Sequence, residues 1–316
     1  YRRQRQMCIR DRILSYVEVM LLDAEVRQKN RDNVCNRECV GTLIYNERIR
    51  QSVGLSKLCD GLMSMGNLSR IKSGTRETDE SIIKRLTDRL GMTFEDEGAY
   101  MFNNDYAEWP RRWRVIDAIE CGRISEAGLL IDKYERMYGR KVVREQFAKV
   151  MRIQCITSVE SYENMCSSRM QEIVRLYMEA LSLTIPVNAL KNVRMFVLAI
   201  DELNMVLEYQ FYRGLEGGDI TDIKLLEDIL KYLDGTRFSL SAKAKLYPKT
   251  VVYMYRMLAY GRSMEVVFRD TDKKLMDKLY KYCERALDML RENAVRYYLT
   301  EILLSLIHIS EPTRRS

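Results

Sequence analysis

The chain has 316 residues, with 52 Lys and Arg residues, 45 Asp and Glu residues and a formal net charge of +7. Hydrophobic residues make up 47% of it, enough for a sizeable core, and the scarcity of Gly (15) and Pro (4) favours helix. No stretch reaches the length of apolar sequence, about 18 residues, that a membrane-spanning helix needs.

Both ends of the chain are predicted to be translated sequencing adapters. Residues 1–12 (YRRQRQMCIRDR) and 304–316 (LSLIHISEPTRRS) match translations of the two transposase adapters used to build sequencing libraries. The two strings hold seven of the 52 basic residues, two of the 45 acidic residues and the only histidine, His308. We therefore expect a genuine sequence within 13–303 with a net charge of +2. Without histidine it cannot form a Ser-His-Asp triad, a Cys-His pair or a histidine-containing zinc site.

Residues 13–39 form an N-terminal segment with no assigned fold, in which Met20 is one candidate for the natural start. Seven cysteines lie outside the end strings, and none forms C-x-x-C, which indicates reduced thiols in a cytosol. Cys35 and Cys39 could bind a metal only with two further ligands that the sequence does not supply. We expect no metal and no cofactor.

Four short helices are predicted between residues 40 and 91. Gly54 breaks the chain after the first helix, and Ser64 is placed to cap the third. Gly74 suits the end of the third helix, and Asp79 is placed to cap the fourth. The apolar residues at helical spacing in the four segments are Leu43, Ile44, Ile49 and Val53, then Leu55, Leu58, Cys59 and Leu62, then Leu68 and Ile71, and last Ile82, Ile83, Leu86 and Leu90. The pattern is typical of a compact bundle that presents one short helix outward.

The segment from Gly54 to Arg76, GLSKLCDGLMSMGNLSRIKSGTR, resembles the helix-turn-helix domains of the phage-repressor-like (XRE) family. The residues that carry the resemblance are Leu58, Cys59, Leu62, Ser64, Leu68, Ser69, Arg70, Ile71 and Gly74. The resemblance implies a DNA-binding domain over residues 40–91. The string LCDGLMSMGNLSRIKSG is also similar to regulators of Firmicutes bacteria that join such a head to a tetratricopeptide-like body. The sequence departs from the family pattern at Leu55, where Gln is frequent, and at Lys72, where Glu is frequent.

The third helix is the element expected to enter the major groove. Leu68 and Ile71 would bury its inner side and leave its polar side outward. By the family pattern, Met65, Gly66 and Arg70 would face base edges, with Arg70 the best candidate for a bidentate contact to guanine. The full expected set of DNA-binding residues is Ser64, Met65, Gly66, Asn67, Ser69 and Arg70, with Arg48, Arg50, Lys72 and Arg76 as phosphate contacts.

A linker is expected over 92–104, followed by a helical domain over 105–303. The predicted helices are Trp109–Cys121, Ile124–Tyr138, Val142–Ile156, Met170–Thr184, Val193–Leu215, Ile220–Leu233, Leu240–Leu258 and Thr271–Leu290. Arg111 and Arg112 are interpreted as part of a solvated face. The Tyr and Met residues at helical spacing, Tyr253, Met254, Tyr255 and Met257, are interpreted as core and not as a ligand site. Paired helices with short connections are typical of tetratricopeptide-like hairpins. The expected fold is therefore all-α, with a small helix-turn-helix bundle followed by an α-solenoid of helical hairpins.

Solenoids of helical hairpins offer a concave surface for extended peptides or partner helices. In the resembled family such bodies sense small signalling peptides or mediate dimerisation. The resemblance thus implies a cytoplasmic, non-enzymatic homodimer that binds double-stranded DNA and a peptide or protein ligand. One alternative is a protein-interaction scaffold whose head does not bind DNA. Another is a helical regulator of enzymes, such as a phosphatase of response regulators, against which the missing histidine argues.

Overall fold

The computed structural model describes residues 40–73, 79–92, 108–139, 141–186, 190–217, 221–235, 238–261, 267, 271 and 273–310. All of them belong to one unit of the chain, Val40–Ser316. The predicted segments 1–12 and 13–39, with Cys35 and Cys39, lie outside the described residues, as does most of the predicted linker 92–104. The proposed division between head and body therefore stays a prediction.

The described residues form thirteen α-helices, one short 3-10 turn at Val193–Met195 and no strand, which confirms the all-α fold. The helices are α1 (Val40–Arg50), α2 (Leu55–Cys59), α3 (Met65–Lys72), α4 (Glu80–Arg89), α5 (Glu108–Glu120), α6 (Ile124–Tyr138), α7 (Val142–Val159), α8 (Ser167–Ser182), α9 (Ile200–Gly217), α10 (Thr221–Leu233), α11 (Leu240–Ala259), α12 (Lys273–Glu292) and α13 (Leu299–Ser310). Among these helices, none has both the length and the apolar character needed to cross a membrane.

We call helices α1 to α4, which form a small helix-turn-helix bundle, the head, and helices α5 to α13 the body. α3 packs against α1 and α2, and α4 packs against α2. Cys59, at the end of α2, is only 2% exposed, in keeping with its place among the apolar residues at helical spacing. The head core consists of Ile44, Leu58, Cys59, Leu68, Ile71, Ile82, Ile83, Leu86 and Leu90. Val143 and Val197 of the body join the same cluster, so head and body share apolar core.

Helices α5 to α13 form the body, a series of stacked helical hairpins. Each helix packs against its successor in the chain. α5 also packs against α7, α9 against α11, and α11 against α13, which is the arrangement that stacking of hairpins produces. Tyr253 and Met254 of α11 are buried in the larger of the two body cores, as the sequence predicts, and Tyr255 and Met257 pack against it while only half-buried.

The predicted helix Val193–Leu215 is wrong over its first seven residues, Val193 to Ala199. After the 3-10 turn the chain is extended, and α9 begins only at Ile200. The extended backbone is held by side chains, since the Tyr232 hydroxyl accepts from the Leu198 amide at 2.8 Å and the Glu202 carboxylate accepts from the Ala199 amide at 2.9 Å. Side chains that satisfy the backbone in this way compete with helix, and residue periodicity does not reveal them.

The interpretation of Arg111 and Arg112 as a solvated face is also wrong. Both side chains are half-buried. The Arg112 guanidinium donates to the Tyr134 hydroxyl at 2.9 Å and lies 4.6 Å from the centre of the Phe147 ring. Arg111 donates to the hydroxyl of Tyr138. These arginines bury their stems and fix α5 on α6 and α7.

Helix α13 runs into the string 304–316 that is predicted to be adapter-encoded. Ile302 and Ser305 are buried, and the Tyr255 hydroxyl lies 2.7 Å from Nδ1 of His308. Residues 304–310 can pack against the body whether or not their codons come from a sequencing adapter. The adapter origin therefore stays a prediction.

Candidate nucleic-acid interface

The position of α3 is set by one cap and two apolar anchors. Ser64 adopts extended backbone dihedrals, and its hydroxyl oxygen accepts from the Asn67 amide at 3.4 Å. That cap satisfies one of the amides that a helix leaves without a partner in its first turn. Leu68 and Ile71, three residues apart, lie on one side of α3 and are 4% and 5% exposed. Both sequence predictions, the capping serine and the buried pair, are confirmed.

The opposite side of α3 faces outward. Met65 is 51% exposed, and Ser69 and Arg70 are also exposed. Within the described part of the chain, Gly66 has nothing within 4 Å of the position that a Cβ would take. These four residues recur at helical spacing of three and four, and we call them the α3 face. Asn67 is half-buried beside it.

The basic residues predicted to contact phosphates differ in how far they are buried and in which groups they bind. Arg48 is half-buried, and its Nη1 donates to the Val53 carbonyl oxygen at 2.7 Å, so part of its donor capacity is used inside the head. Arg50 is exposed and pairs with Glu47, whose pKa is lowered chiefly by the hydrogen bond from Arg50.

Lys72 lies at the end of α3, next to the α3 face. It is exposed, and its ammonium lies 3.2 Å from the centre of the Tyr45 ring, which orients the charge. Arg76 lies outside the described residues. The roles of the four basic residues in phosphate contact stay predictions.

One buried arginine of α4 joins the head to the body. Arg89 is 1% exposed, and its guanidinium donates to both carboxylate oxygens of Glu202, at 3.0 and 2.9 Å. It also donates to the carbonyl oxygens of Leu58 and Asp60, at 2.9 and 2.7 Å, and to that of Thr184 at 3.0 Å. A single side chain therefore links the end of α2 to the turn after α8 and to the first turn of α9.

The turn between α2 and α3 also touches the body through its backbone. Gly61 has a φ of +70°, and a Cβ built on it would lie 2.1 Å from the Thr184 carbonyl oxygen. Glycine is required here by both the left-handed dihedral and the close approach. The turn that leads into α3 is therefore seated directly on the residue that Arg89 binds.

A second ion-paired arginine connects the two parts at α7. Arg144 donates to Asp79 at 2.9 Å and to Glu108 at 2.9 Å, and all three side chains are largely buried. Asp79 also caps α4 by accepting from the Ser81 amide at 3.0 Å, as the sequence predicts for a capping residue at this position. The start of α4 is thus fixed to α5 and α7.

The ionisation of Glu202 makes one contribution to stability that depends on pH. Burial alone would raise its pKa, but Arg85, Arg89 and the hydrogen bonds to the carboxylate outweigh burial, so the pKa lies below the ordinary 4.5. A carboxylate with a lowered pKa stabilises the folded state above its unfolded pKa and loses that contribution as the pH falls through its folded pKa.

We therefore expect Glu202→Gln to lower the free energy of unfolding most near neutral pH. The difference from wild type should shrink as the pH falls below the ordinary value of 4.5. Urea unfolding at a series of pH values measures both variants. A difference that stays constant from about pH 7 to about pH 3 would contradict the ionised pair.

The described part of the chain contains no cluster of thiols and carboxylates that could hold a metal. Five described cysteines are free thiols, and no group of three or more His, Cys, Asp or Glu side chains is placed there to hold a metal. Burial raises the pKa of Cys59, and it raises that of Cys283 to about 12. The two buried thiols behave as small apolar side chains.

Three residues that position α3 escape the sequence analysis: Gly61, Arg89 and Glu202. The signal for Gly61 was present, since a glycine inside the turn of a helix-turn-helix unit suggests a left-handed dihedral. Arg89 and Glu202 give no such signal, because they are 113 residues apart and look like ordinary charged residues on helices.

Comparison with known proteins gives one structural likeness. No protein-family model matches the chain. No curated protein matches it. Among solved structures it is similar to the crystal structure of Bacillus thuringiensis PlcR in complex with the peptide PapR7 and DNA. That similarity has 12% sequence identity, covers 88% of each chain and has a TM-score of 0.46.

Proposed function

We propose that the chain is a sequence-specific DNA-binding transcription regulator of a bacterium. The observation that supports this most is the α3 face. Capping by Ser64 and burial of Leu68 and Ile71 hold a two-turn helix so that its other side is exposed. A short helix held this way fits the major groove, which admits an α-helix.

In this proposal the α3 face supplies the direct contacts to bases. Arg70 donates to O6 and N7 of a guanine, which distinguishes that base pair by about 1–3 kcal/mol. Met65 and Ser69 contact neighbouring base edges, and Gly66 allows close approach of the helix backbone. Ser64, Asn67, Arg50 and Lys72 contact bases or phosphates at the rim and set the register of the head on the duplex. Arg48 and Arg76 extend the phosphate contacts.

The body is proposed to dimerise the protein and to bind a peptide or protein ligand. A single α3 face contacts only a few base pairs, so two heads on two half-sites are needed for the affinity of a regulator. Stacked hairpins offer the extended surface on which such ligands bind. A ligand that favours one arrangement of the two heads would shift the protein towards or away from DNA. The protein would act in the cytoplasm, where the chromosome is.

Selection of bound duplexes from a random pool tests the proposal. The full chain is incubated with the pool at a stated salt concentration, and bound DNA is amplified and sequenced over several rounds. We expect enrichment of one motif, repeated at the spacing of two half-sites. A variant without residues 1–12 serves as control, because it lacks five terminal arginines and should enrich the same motif. Failure of both proteins to enrich any motif would favour the interaction scaffold.

A further inference from the structure

The junction between head and body is built around two buried arginines and one buried carboxylate. We use the word junction for Arg85, Arg89, Gln146, Thr184 and Glu202. Arg85 lies 3.8 Å from Glu202, which Arg89 already engages through two hydrogen bonds. The side chains of the two arginines and Glu202 are 7%, 1% and 0% exposed. Two buried guanidinium groups therefore share one buried carboxylate.

Arg85 is satisfied less completely than Arg89. Its Nη2 donates to the Gln146 side chain at 3.2 Å, and its buried Nη1 has no hydrogen-bond partner among the described residues. Gln146 in turn donates to the Ala180 carbonyl oxygen and to the Thr184 hydroxyl, both at 2.8 Å. The junction is thus a continuous polar network that runs from α4 through α7 to the end of α8.

Apolar residues of similar volume often replace a buried ion pair at no cost in stability, so stability alone does not explain this network. Its geometry offers another explanation. Arg89 holds the carbonyl oxygens of Leu58 and Asp60, and only residues 61–64 separate that anchor from the first turn of α3. Gly61 within this short stretch touches Thr184. A shift of the turn after α8, or of the start of α9, would therefore be passed to α3.

We infer that Arg89 is a positioning residue for the α3 face, through which Thr184 and Glu202 of the body set the orientation of α3. The part of this inference that concerns DNA binding rests on the proposed function. It assigns Thr184, just after α8, and Glu202, in the first turn of α9, as the part of the body whose position controls the head. The mechanical coupling itself is a property of the protein without DNA.

The test compares two carboxylates of the same helix, the buried Glu202 and the less buried Glu208. Glu202→Gln removes the charge that Arg89 and Arg85 share. Glu208→Gln is the matched control, because Glu208 is also a largely buried, ion-paired carboxylate of α9. Its described side-chain partners, Lys249 and Tyr253, are both in α11 of the body, and the side chains of Glu208 and Lys249 are each 13% exposed. The duplex selected by wild type is titrated with each full-length variant by fluorescence anisotropy, at a temperature where unfolding measurements show that each is folded.

We expect Glu202→Gln to bind the selected duplex about tenfold more weakly than wild type. Glu208→Gln should bind within about twofold of wild type despite a similar loss of thermal stability. Hydrogen exchange followed by mass spectrometry should show faster exchange of amides in residues 55–72 in Glu202→Gln only. If Glu202→Gln does not fold, Arg89→Lys should show both effects, since lysine keeps the charge but cannot bind all four partners.

Equal loss of affinity in the two glutamine variants, or unchanged exchange in residues 55–72, would overturn the inference. The exchange measurement requires no DNA. If wild type selects no duplex but exchange in 55–72 rises only in Glu202→Gln, the proposed function fails and the coupling stands. If wild type selects a duplex and Glu202→Gln binds it unchanged, the coupling fails and the proposed function stands.

Discussion

Replacing Gly61 with alanine is expected to lower the free energy of unfolding by about 3 kcal/mol, because alanine combines an unfavourable left-handed dihedral with overlap of packed atoms. The new Cβ would lie 2.1 Å from the carbonyl oxygen and 2.6 Å from the carbonyl carbon of Thr184. Both atoms are backbone, so the overlap cannot be relieved by rotation of a side chain. Urea unfolding followed by circular dichroism measures the change.

Gly66→Ala is the matched control for this substitution. Gly66 lies inside α3, and a Cβ there would meet nothing within 4 Å. Alanine at a helical position without contacts should raise the free energy of unfolding by about 0.5–1 kcal/mol. If Gly61→Ala were tolerated as well as Gly66→Ala, the close contact between the α2–α3 turn and Thr184 would be contradicted.

Reversing the charge of Arg70 is expected to have the largest effect on DNA binding. Arg70→Glu replaces a donor to guanine with an acceptor and places negative charge beside the phosphates. We expect the affinity for the selected duplex to fall about 100-fold at fixed salt. The free energy of unfolding should change little, because Arg70 is exposed on the α3 face. Fluorescence anisotropy with labelled duplex measures the affinity.

Arg136→Glu makes the same change in net charge on a helix of the body. Arg136 is an exposed residue of α6. Long-range repulsion from one body charge is screened beyond about 8 Å at physiological salt, so this variant should bind within about twofold of wild type. Equal losses for the two variants would mean that net charge governs binding. No loss for Arg70→Glu would favour the scaffold alternative.

The head could be predicted from the sequence because its signals are local. Ser64 and Asp79 are capping residues next to the helices that they cap, and Leu68 and Ile71 reveal the buried side of α3 by their spacing. From that spacing the exposed side of α3 follows as well. The contacts that those exposed residues make with DNA depend on a partner and stay predictions.

The junction could not be predicted, because its partners are brought together only by the tertiary fold. Arg89 and Glu202 each look like a solvated residue of a charged helix, and periodicity does not pair residues 113 positions apart. The same limit explains the wrong start of α9, where Tyr232, 34 residues from Leu198, holds the extended backbone. The sequence likewise suggests that Arg112 is solvent-exposed, because its partner Tyr134 is in another helix.

Direct contact between Arg70 and one base pair is tested by a scan of the selected duplex. Each base pair is changed in turn, and the affinity is measured for wild type and for Arg70→Ala at one salt concentration. We expect Arg70→Ala to lose about 1–3 kcal/mol of discrimination at a single G·C pair of each half-site and to keep it elsewhere. A uniform weakening at every position, or undiminished discrimination at all of them, would show that the α3 face does not read sequence through this arginine.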